Sequence, residues 1–284
     1  METLLQQLVN GLALASVYAL LAIGITLIFG LTKIVNFAHG EFLVIGALVA
    51  YTCTTLGLPY PLALLAAAIA MAIAGYIAER FLFRPIANEP IRGFIISLGL
   101  IITLQHVAIK VWGSEQHAID APLQHVISFG EVRISVMRLF VTAVTCALLL
   151  MFFLLLKQSR WGKALRAVAI DRETAATVGI PVTRYVAAVF VLGTALAGLG
   201  GALLLSLFPM SPFSGGSYTI KGFAVAIVGG LGSVSGAVIA AVLLGMIEAI
   251  ASGYISPAWT NAYAFGAMIL VLLIRPSGLR GGMY

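Results

Sequence analysis

The chain has 284 residues, of which 61% are apolar and only 9% charged, with a net charge of +6 and a mean hydropathy of +1.10. So few charged side chains cannot cover the surface of a soluble domain of this length, which predicts that the lipid bilayer is the solvent. The basic residues lie in short segments between apolar runs and are not interleaved with solvated aromatic residues, which argues against nucleic acid as a partner.

Eight membrane spans and one shorter helix are predicted along the chain. The spans lie at about residues 5–31, 40–56, 61–81, 93–112, 136–156, 183–208, 235–252 and 257–275. The additional helix, near 217–228, is too short to cross a bilayer alone. The fold class is therefore all-α: a polytopic transmembrane helical bundle of about eight spans plus one short broken or re-entrant helix, in a single domain over 1–284. The first helix lacks a basic leader and a cleavage site, so we expect it to be retained.

Charge bias orients the predicted spans. Twelve of the sixteen Lys and Arg residues fall on one face of the bundle; they lie in 84–92, in 157–184, in the tail from Arg275, and at Lys33 and Arg80. The positive-inside rule puts this face in the cytoplasm and the loop 113–135 outside. Counting back through the spans places the N-terminus outside, which requires 217–228 and 235–252 to run as an antiparallel pair.

The first interruption of the helical pattern lies between Gly30 and Glu41, where polar residues separate two apolar helices. Polar groups at membrane depth are costly, and either a function or a bond between helices keeps them there. The residues predicted to line a substrate pathway are Asn36, His39, Gly40 and Glu41. The alternative is structural: Asn36 caps the following helix, and Glu41 interacts with the positive end of a helix.

A second interruption lies between Phe208 and Gly236, where seven glycines and two prolines surround a helix too short to span. Non-helical backbone at membrane depth is tolerated where it is buried in protein or lines a watery cavity, and paired interruptions point to a transport pathway. The pathway residues assigned here are Gly229, Gly230, Gly232 and Lys221. We expect the two interruptions to approach each other, or a partner subunit, near mid-membrane. The alternatives are surface turns for the glycines and snorkelling for Lys221; snorkelling is the expectation for Glu248.

The segment 157–184 is the longest polar stretch and carries six basic residues. Two short helices are predicted in it, the second capped by Asp171, with Thr174 in place of the glutamate of a complete capping box. A small apolar face follows, formed by Ala175, Ala176 and Val178. The Gly-Ile-Pro sequence at 179–181 ends the helix. Small side chains flanked by charge predict a plug for a groove on a soluble partner, and a solvated linker is the alternative.

The sequence contains none of the motifs GxxxxGK[ST], GxSxG, HExxH or CxxC. This argues against ATP binding by the chain alone and against the common hydrolase and metalloprotease sites. The two cysteines, Cys53 and Cys146, lie inside apolar runs and predict neither a disulfide nor a metal site. No catalytic or metal-binding residue is therefore assigned, and a membrane-embedded enzyme would lack the paired acid and base that it requires.

Three stretches resemble known transport proteins. GKALRAVAIDRETAATVGIPV is similar to the coupling loop of ABC importer permeases, where Ala-Ala, Gly and Ile-Pro lie in a helix-turn that contacts the ATPase. NFAHGEFLVIGALVAY and AIVGGLGSVSGAVIAAVLLG resemble the permease family of branched-chain amino acid importers, and this resemblance covers essentially the whole chain. The length suggests the shorter of the two permeases that such systems use. The resemblance implies coupling through the loop 157–182, at Arg166, Asp171, Glu173, Ala175, Ala176, Gly179 and Pro181.

The resemblance further implies a permease subunit of an ATP-driven importer in the bacterial inner membrane, working by alternating access. Its expected partners are a second homologous permease, two cytoplasmic ATP-binding subunits and an extracytoplasmic substrate-binding protein. ATP is expected on the partner subunits, and no cofactor on this chain. Related importers carry urea, short amides or aromatic acids, so these cargoes stay open. A secondary carrier or channel is the alternative class; it needs buried ion-coupling carboxylates, for which only Glu41 and Glu248 are available.

Overall fold

The computed structural model describes residues 2–87, 89–120, 122–129 and 132–280. Within these ranges the chain forms eleven α-helices and one antiparallel hairpin. The helices are α1 Glu2–Thr32, α2 His39–Thr55, α3 Tyr60–Ala78, α4 Pro90–Trp112, α5 Val136–Gln158, α6 Arg160–Ile170, α7 Arg172–Thr177, α8 Val182–Leu205, α9 Gly215–Gly229, α10 Val234–Tyr254 and α11 Thr260–Ile274. The hairpin strands, between α4 and α5, are β1 Val126–Phe129 and β2 Val132–Ser135. This architecture confirms the predicted fold class.

In the part of the chain that the structure describes, seven helical segments are long and apolar enough to cross a membrane: α1, α3 with its continuation to Ile86, α4, α5, α8, α10, and α11 with its preceding turn. The predicted span 40–56 corresponds to α2, whose 17 residues extend about 26 Å at 1.5 Å per residue. It is slightly short of a full span and is mostly buried inside the bundle. The predicted short helix is α9, with 15 residues. The span count is thus close to the prediction, and the short helix is present.

Helix α1 forms the centre of the bundle. It packs against α10, α8, α5 and α9, and its side chains from Val17 to Ile28 are buried. Helix α8 packs against both α2 and α3, and Gly201 of α8 lies directly against the backbone of Leu43 in α2. A β-carbon at Gly201 would collide with the Leu43 carbonyl, so only glycine allows this close approach. Small residues therefore determine how closely these helices pack.

The loops between the helices are grouped at the two ends of the bundle as the charge bias predicts. At one end, the backbone N–H of Arg133 in the hairpin donates to Gln6 Oε1 at 2.9 Å, so the start of α1 lies beside the loop predicted to be outside. At the other end, Lys157 and Arg280 line one cleft with the last turns of α1. Helices α9 and α10 run antiparallel between these ends, which confirms the predicted pair. Which end faces the cytoplasm stays a prediction from charge.

Candidate functional site

An extended segment separates α1 from α2, and local side chains determine its turns. Helix α1 ends at Thr32, whose hydroxyl accepts from the N–H of Ile34 at 3.1 Å. Lys33 has a φ of 55°, which turns the chain out of the helix. Asn36 Oδ1 accepts from the N–H of Ala38 at 3.1 Å, so Asn36 stabilises the turn before α2 and does not cap the helix itself. The predicted first interruption is therefore confirmed.

Polar groups of this interruption are buried without hydrogen-bond partners. His39 is completely buried, and its imidazole packs on Gly24 of α1, where a β-carbon would collide with the ring. Among the described residues, neither ring nitrogen of His39 nor Asn36 Nδ2 has a partner. Leaving a buried polar group unpaired costs about 1–3 kcal/mol, and each such group requires an explanation. His39 and Asn36 therefore remain candidates for a pathway.

The N-terminal ends of α2 and α9 meet at Glu41. Its carboxylate is buried, accepts from Gln105 Nε2 at 2.9 Å, and packs on Gly215, the first residue of α9. The N–H of Gly40 donates to Thr219 Oγ1 at 2.9 Å, which ties the two helices together. Glu41 also lies in the first turn of α2, where the partial positive charge of the first N–H groups favours a carboxylate. This position agrees with the structural alternative for Glu41, and the packed bundle adds its contact with the first residue of α9.

The predicted glycine interruption forms a tight turn from α9 into α10. Gly230 and Gly232 have φ angles of 97° and 95°, which favour glycine, and Gly229 packs against the backbone at Ala237. At 1.5 Å per residue, about 15 Å of helix separates Gly229 from Thr219, where the first interruption makes its contact. Gly215 and Thr219 belong to the second interruption, so the two interruptions approach each other at the start of α9. Gly30 and Leu31 of the first interruption also line one cleft with Leu231 of the glycine turn. Approach to a partner subunit stays a prediction.

Lys221 and Glu248 form an ion pair inside the bundle. Lys221 Nζ lies 2.8 Å from Glu248 Oε1, and the two side chains are only 12% and 5% exposed. The hydroxyl of Tyr18 donates to Glu248 at 2.9 Å and accepts from Lys221 at 3.1 Å. The expectation that Glu248 snorkels is wrong, because a counter-charge on the facing helix offsets part of its cost of burial. Lys221 likewise lies inside the bundle.

A cavity of about 350 Å³ opens beside this ion pair. Its walls come from α1, α5, α9 and α10 and include Arg138, Asn10, Tyr218 and Ser252. Arg138 donates to Asn10 Oδ1 across the cavity wall. Sequence analysis missed Arg138 and Tyr18, because single polar residues in apolar helices carry no signal until the helices pack. The cavity thus brings charged and hydroxyl side chains together at one wall of the bundle.

The segment 157–182 folds into α6, α7 and the turn before α8. Asp171 caps α7, because its Oδ1 accepts from the N–H groups of Glu173 at 2.9 Å and Thr174 at 3.1 Å. The Thr174 hydroxyl also donates to Asp171 Oδ2 at 2.6 Å, and these hydrogen bonds lower the pKa of Asp171 below its ordinary value. Gly179, with a φ of 85°, ends the helix. The two predicted helices, the cap and the terminator are confirmed.

Most of the predicted coupling residues are exposed on this segment: Asp171, Glu173, Ala176, Gly179 and Pro181. The apolar side chains of Ile170 and Val178 are 67% and 72% exposed beside them. Ala175, in contrast, is buried and holds α7 on the bundle, so the predicted apolar face loses one of its members. Arg166 donates to the carbonyl of Leu156 and lines the cleft beside α1. The exposed surface available to a partner is therefore centred on α7.

The described part of the chain has no group of three His, Cys, Asp or Glu side chains arranged to hold a metal ion. The three buried carboxylates that the structure describes are each bound by another side chain: Glu41 by Gln105, Glu79 by Arg84 and Glu248 by Lys221. The bundle interior thus offers hydrogen bonds and paired charges. Such groups suit the binding of a small polar solute.

Residues 7–273 match the family described as branched-chain amino acid transport system / permease component. The chain is 38% identical over 293 aligned positions to the high-affinity branched-chain amino acid transport system permease protein BraD of Pseudomonas aeruginosa, covering 98% of this chain and 95% of BraD. It is 34% identical to the corresponding protein LivH of Escherichia coli, with the same coverage. The probable branched-chain amino acid transport permease protein LivH of Methanocaldococcus jannaschii is 32% identical, covering 94% of this chain and 89% of that protein.

Among solved structures, the chain is similar to PsaBC from Streptococcus pneumoniae, determined in complex with Fab. The TM-score is 0.52 at 16% identity, covering 94% of this chain and 91% of that chain, so the likeness concerns the fold alone. The family match and the relatives span nearly the whole chain, as the resemblance of the three sequence stretches indicated. The chain therefore belongs to the family of branched-chain amino acid transport system permeases.

Proposed function

We propose that this chain is the transmembrane permease subunit of an ATP-driven importer that carries branched-chain amino acids across the bacterial inner membrane. The observation that carries the proposal is the nearly full-length similarity to BraD and LivH, whose names describe high-affinity branched-chain amino acid transport. Seven candidate spans among the described residues, and the polar side chains buried within an otherwise apolar bundle, support it. The chain would pair with a second, homologous permease, of which it is the shorter partner.

The substrate pathway is proposed to pass the junction of α2 and α9. This junction holds polar groups of His39 and Asn36 that have no hydrogen-bond partner in the described part of the chain, the Gly40 bond to α9, and the buried Glu41 carboxylate. A conformational change that separates α2 from α9 would break the Gly40 bond to Thr219 and expose these groups to a solute. Lys221, on the same helix α9, extends this polar region to the cavity beside Glu248. A small zwitterion has a carboxylate and an ammonium group that both regions can bind.

The glycines 229, 230 and 232 have a different role in this proposal. They form the turn that joins α9 to α10. The positive φ angles of Gly230 and Gly232, and the close contact of Gly229 with the backbone at Ala237, make this turn compact. Because α9 carries the junction and α10 carries Glu248, the turn determines how these two polar regions are placed relative to each other. The glycines therefore support the pathway without contacting the cargo.

ATP hydrolysis is proposed to act on the bundle through α7. Two cytoplasmic ATP-binding subunits would hold the nucleotide, and one of them would receive the exposed side chains of Ala176 and Val178 in a groove. Asp171 and Glu173 add charge at the edge of this surface, and buried Ala175 connects it to the bundle. Pro181 immediately precedes α8, so a displacement of α7 reaches a central helix directly. An extracytoplasmic binding protein would deliver cargo at the opposite end, completing an alternating-access cycle.

Reconstitution tests this assignment against the competing class. Proteoliposomes that hold this chain, the second permease and the ATP-binding subunits should take up radiolabelled leucine when ATP and the binding protein are supplied. Removing ATP should abolish uptake. Leucine uptake by this chain alone, driven by a proton or sodium gradient, would instead identify a secondary carrier. ATP-dependent uptake of urea, a short amide or an aromatic acid without leucine uptake would assign a different cargo to the same machine.

A further inference from the structure

A cleft of about 400 Å³ opens at the end of the bundle that carries most basic residues. We call it the basic cleft; its polar wall is formed by Thr26, Lys157, Arg166, Ser233, Ser235 and Arg280. Helices α5 and α10 both pack on α1, and the cleft lies between them against the last turns of α1. None of the described residues that line it is acidic. We infer that the basic cleft binds the phosphate headgroup of an anionic phospholipid from the cytoplasmic leaflet.

The cations of the basic cleft are available to a ligand. Lys157, Arg166 and Arg280 are exposed, and within the described residues none of them forms an ion pair. The side-chain hydrogen bonds of the two arginines go to neutral groups: Arg166 donates to the Leu156 carbonyl, and Arg280 donates to Ser235 Oγ at 3.1 Å. Three unneutralised cations around one cleft create a strongly positive potential. An anion placed there gains attraction without displacing a protein carboxylate.

Two further features point into the same cleft. Thr26 is completely buried in α1, and its hydroxyl has no hydrogen-bond partner among the described residues although Thr26 lines the cleft. Helix α10 begins at Val234 in the cleft wall, so its partial positive charge lies at the same place. An oxyanion in the cleft would supply the acceptor that the Thr26 hydroxyl lacks. These groups therefore favour an anion with several oxygens, such as a phosphate.

The remaining wall explains why the ligand is a lipid. Leu27, Leu31, Phe153, Leu156, Leu165 and Leu231 line the cleft beside the cations. On α5, Leu150, Met151 and Leu154 continue the apolar surface, with 60%, 64% and 42% of each residue exposed. Free phosphate would leave these apolar walls in water, whereas an acyl chain covers them. Basic pockets between helices at the cytoplasmic side of a membrane are suited to anionic headgroups.

The test measures lipid retention on the full chain in detergent. Native mass spectrometry would compare dioleoyl phosphatidylglycerol with dioleoyl phosphatidylcholine, and we expect the anionic lipid to be retained preferentially. The double variant Lys157→Gln/Arg280→Gln should weaken its retention about 25-fold, because each cation contributes about fivefold to the attraction. The control Arg80→Gln/Arg92→Gln removes two exposed basic residues outside the cleft and should change retention less than about twofold.

A second variant tests the cleft without changing charge. Ala169 lines the cleft, so Ala169→Trp should fill it and reduce phosphatidylglycerol retention about tenfold, while Ala167→Trp on the same helix should not. Equal retention of both lipids, or equal losses in the pocket and control variants, would overturn the inference. Displacement of the lipid by millimolar inorganic phosphate would reassign the cleft to a free anion. If both cleft variants keep the lipid but lose the ATP-binding subunits, the cleft is a subunit interface.

Discussion

The buried ion pair between Lys221 and Glu248 makes a quantitative prediction. In Lys221→Met, Glu248 keeps its bond from Tyr18 but loses its counter-charge, with a side chain only 5% exposed. Removing one partner of a buried pair costs about 3–5 kcal/mol, because the remaining charge is left uncompensated. The cavity beside the pair admits water, so we expect the lower end, about 3 kcal/mol. For a protein of this size that corresponds to a fall in Tm of about 6–12 °C.

The double variant Lys221→Met/Glu248→Leu provides the decisive comparison. It removes both charges together, and replacing a buried pair by apolar groups is often neutral or stabilising. We therefore expect its Tm to return close to that of the unmodified chain, whereas the exposed control Lys163→Met should leave Tm unchanged. Thermal unfolding in detergent, monitored by size-exclusion chromatography, gives the Tm of the single variant, the double variant and the control. A single variant as stable as the parent, or a double variant as unstable as the single one, would refute the reasoning.

The same double variant separates structure from transport. If the pair only stabilises the bundle, the stable double variant keeps ATP-dependent leucine uptake. If Lys221 and Glu248 contact the cargo, as the proposed pathway requires, uptake falls while Tm stays normal. Leucine uptake in proteoliposomes, measured at equal permease content, distinguishes these results. Normal uptake would remove Lys221 from the pathway.

Three further predictions concern topology, coupling and the first interruption. Cysteines introduced at Ser159 and Ser114 should be labelled from opposite faces of the membrane; labelling from the same face would contradict the charge-based topology. Ala176→Glu should abolish ATP-driven uptake without impairing membrane insertion, because a groove built around a small side chain rejects extra volume and unpaired charge. The control Ala176→Ser should retain uptake. Normal uptake and normal assembly in Ala176→Glu would show that the segment 157–182 is only a linker. His39→Leu should leave Tm equal or raise it, because the imidazole has no hydrogen-bond partner to lose among the described residues, yet it should lower uptake. A large fall in Tm would show that His39 has a structural partner outside the described residues.

Features that depend on neighbouring residues were predictable from the sequence. The Asp171 cap involves N–H groups two and three residues further on, and Gly179 ends α7 through its own φ angle. The break after α1 is equally local, since Thr32 and Asn36 each bond a backbone group two residues away. Apolar runs separated by basic loops predicted the helices and their grouping at the two ends, because lipid requires every backbone group to be paired within a helix. These interactions are encoded within a few residues of chain.

Only the tertiary structure decided how polar residues pair across the bundle. The Lys221–Glu248 pair spans 27 residues and the Lys221–Tyr18 contact 203, so neither follows from local pattern. The Glu41 carboxylate was expected at a helix end and lies in the first turn of α2, whereas its contact with the start of α9 exists only because α2 and α9 meet in the packed bundle. The basic cleft likewise joins cations from α5, α6 and the C-terminal segment. In a chain with so few polar residues, packing of apolar helices determines which of them meet, since each buried charge is stable only where a partner lies within reach.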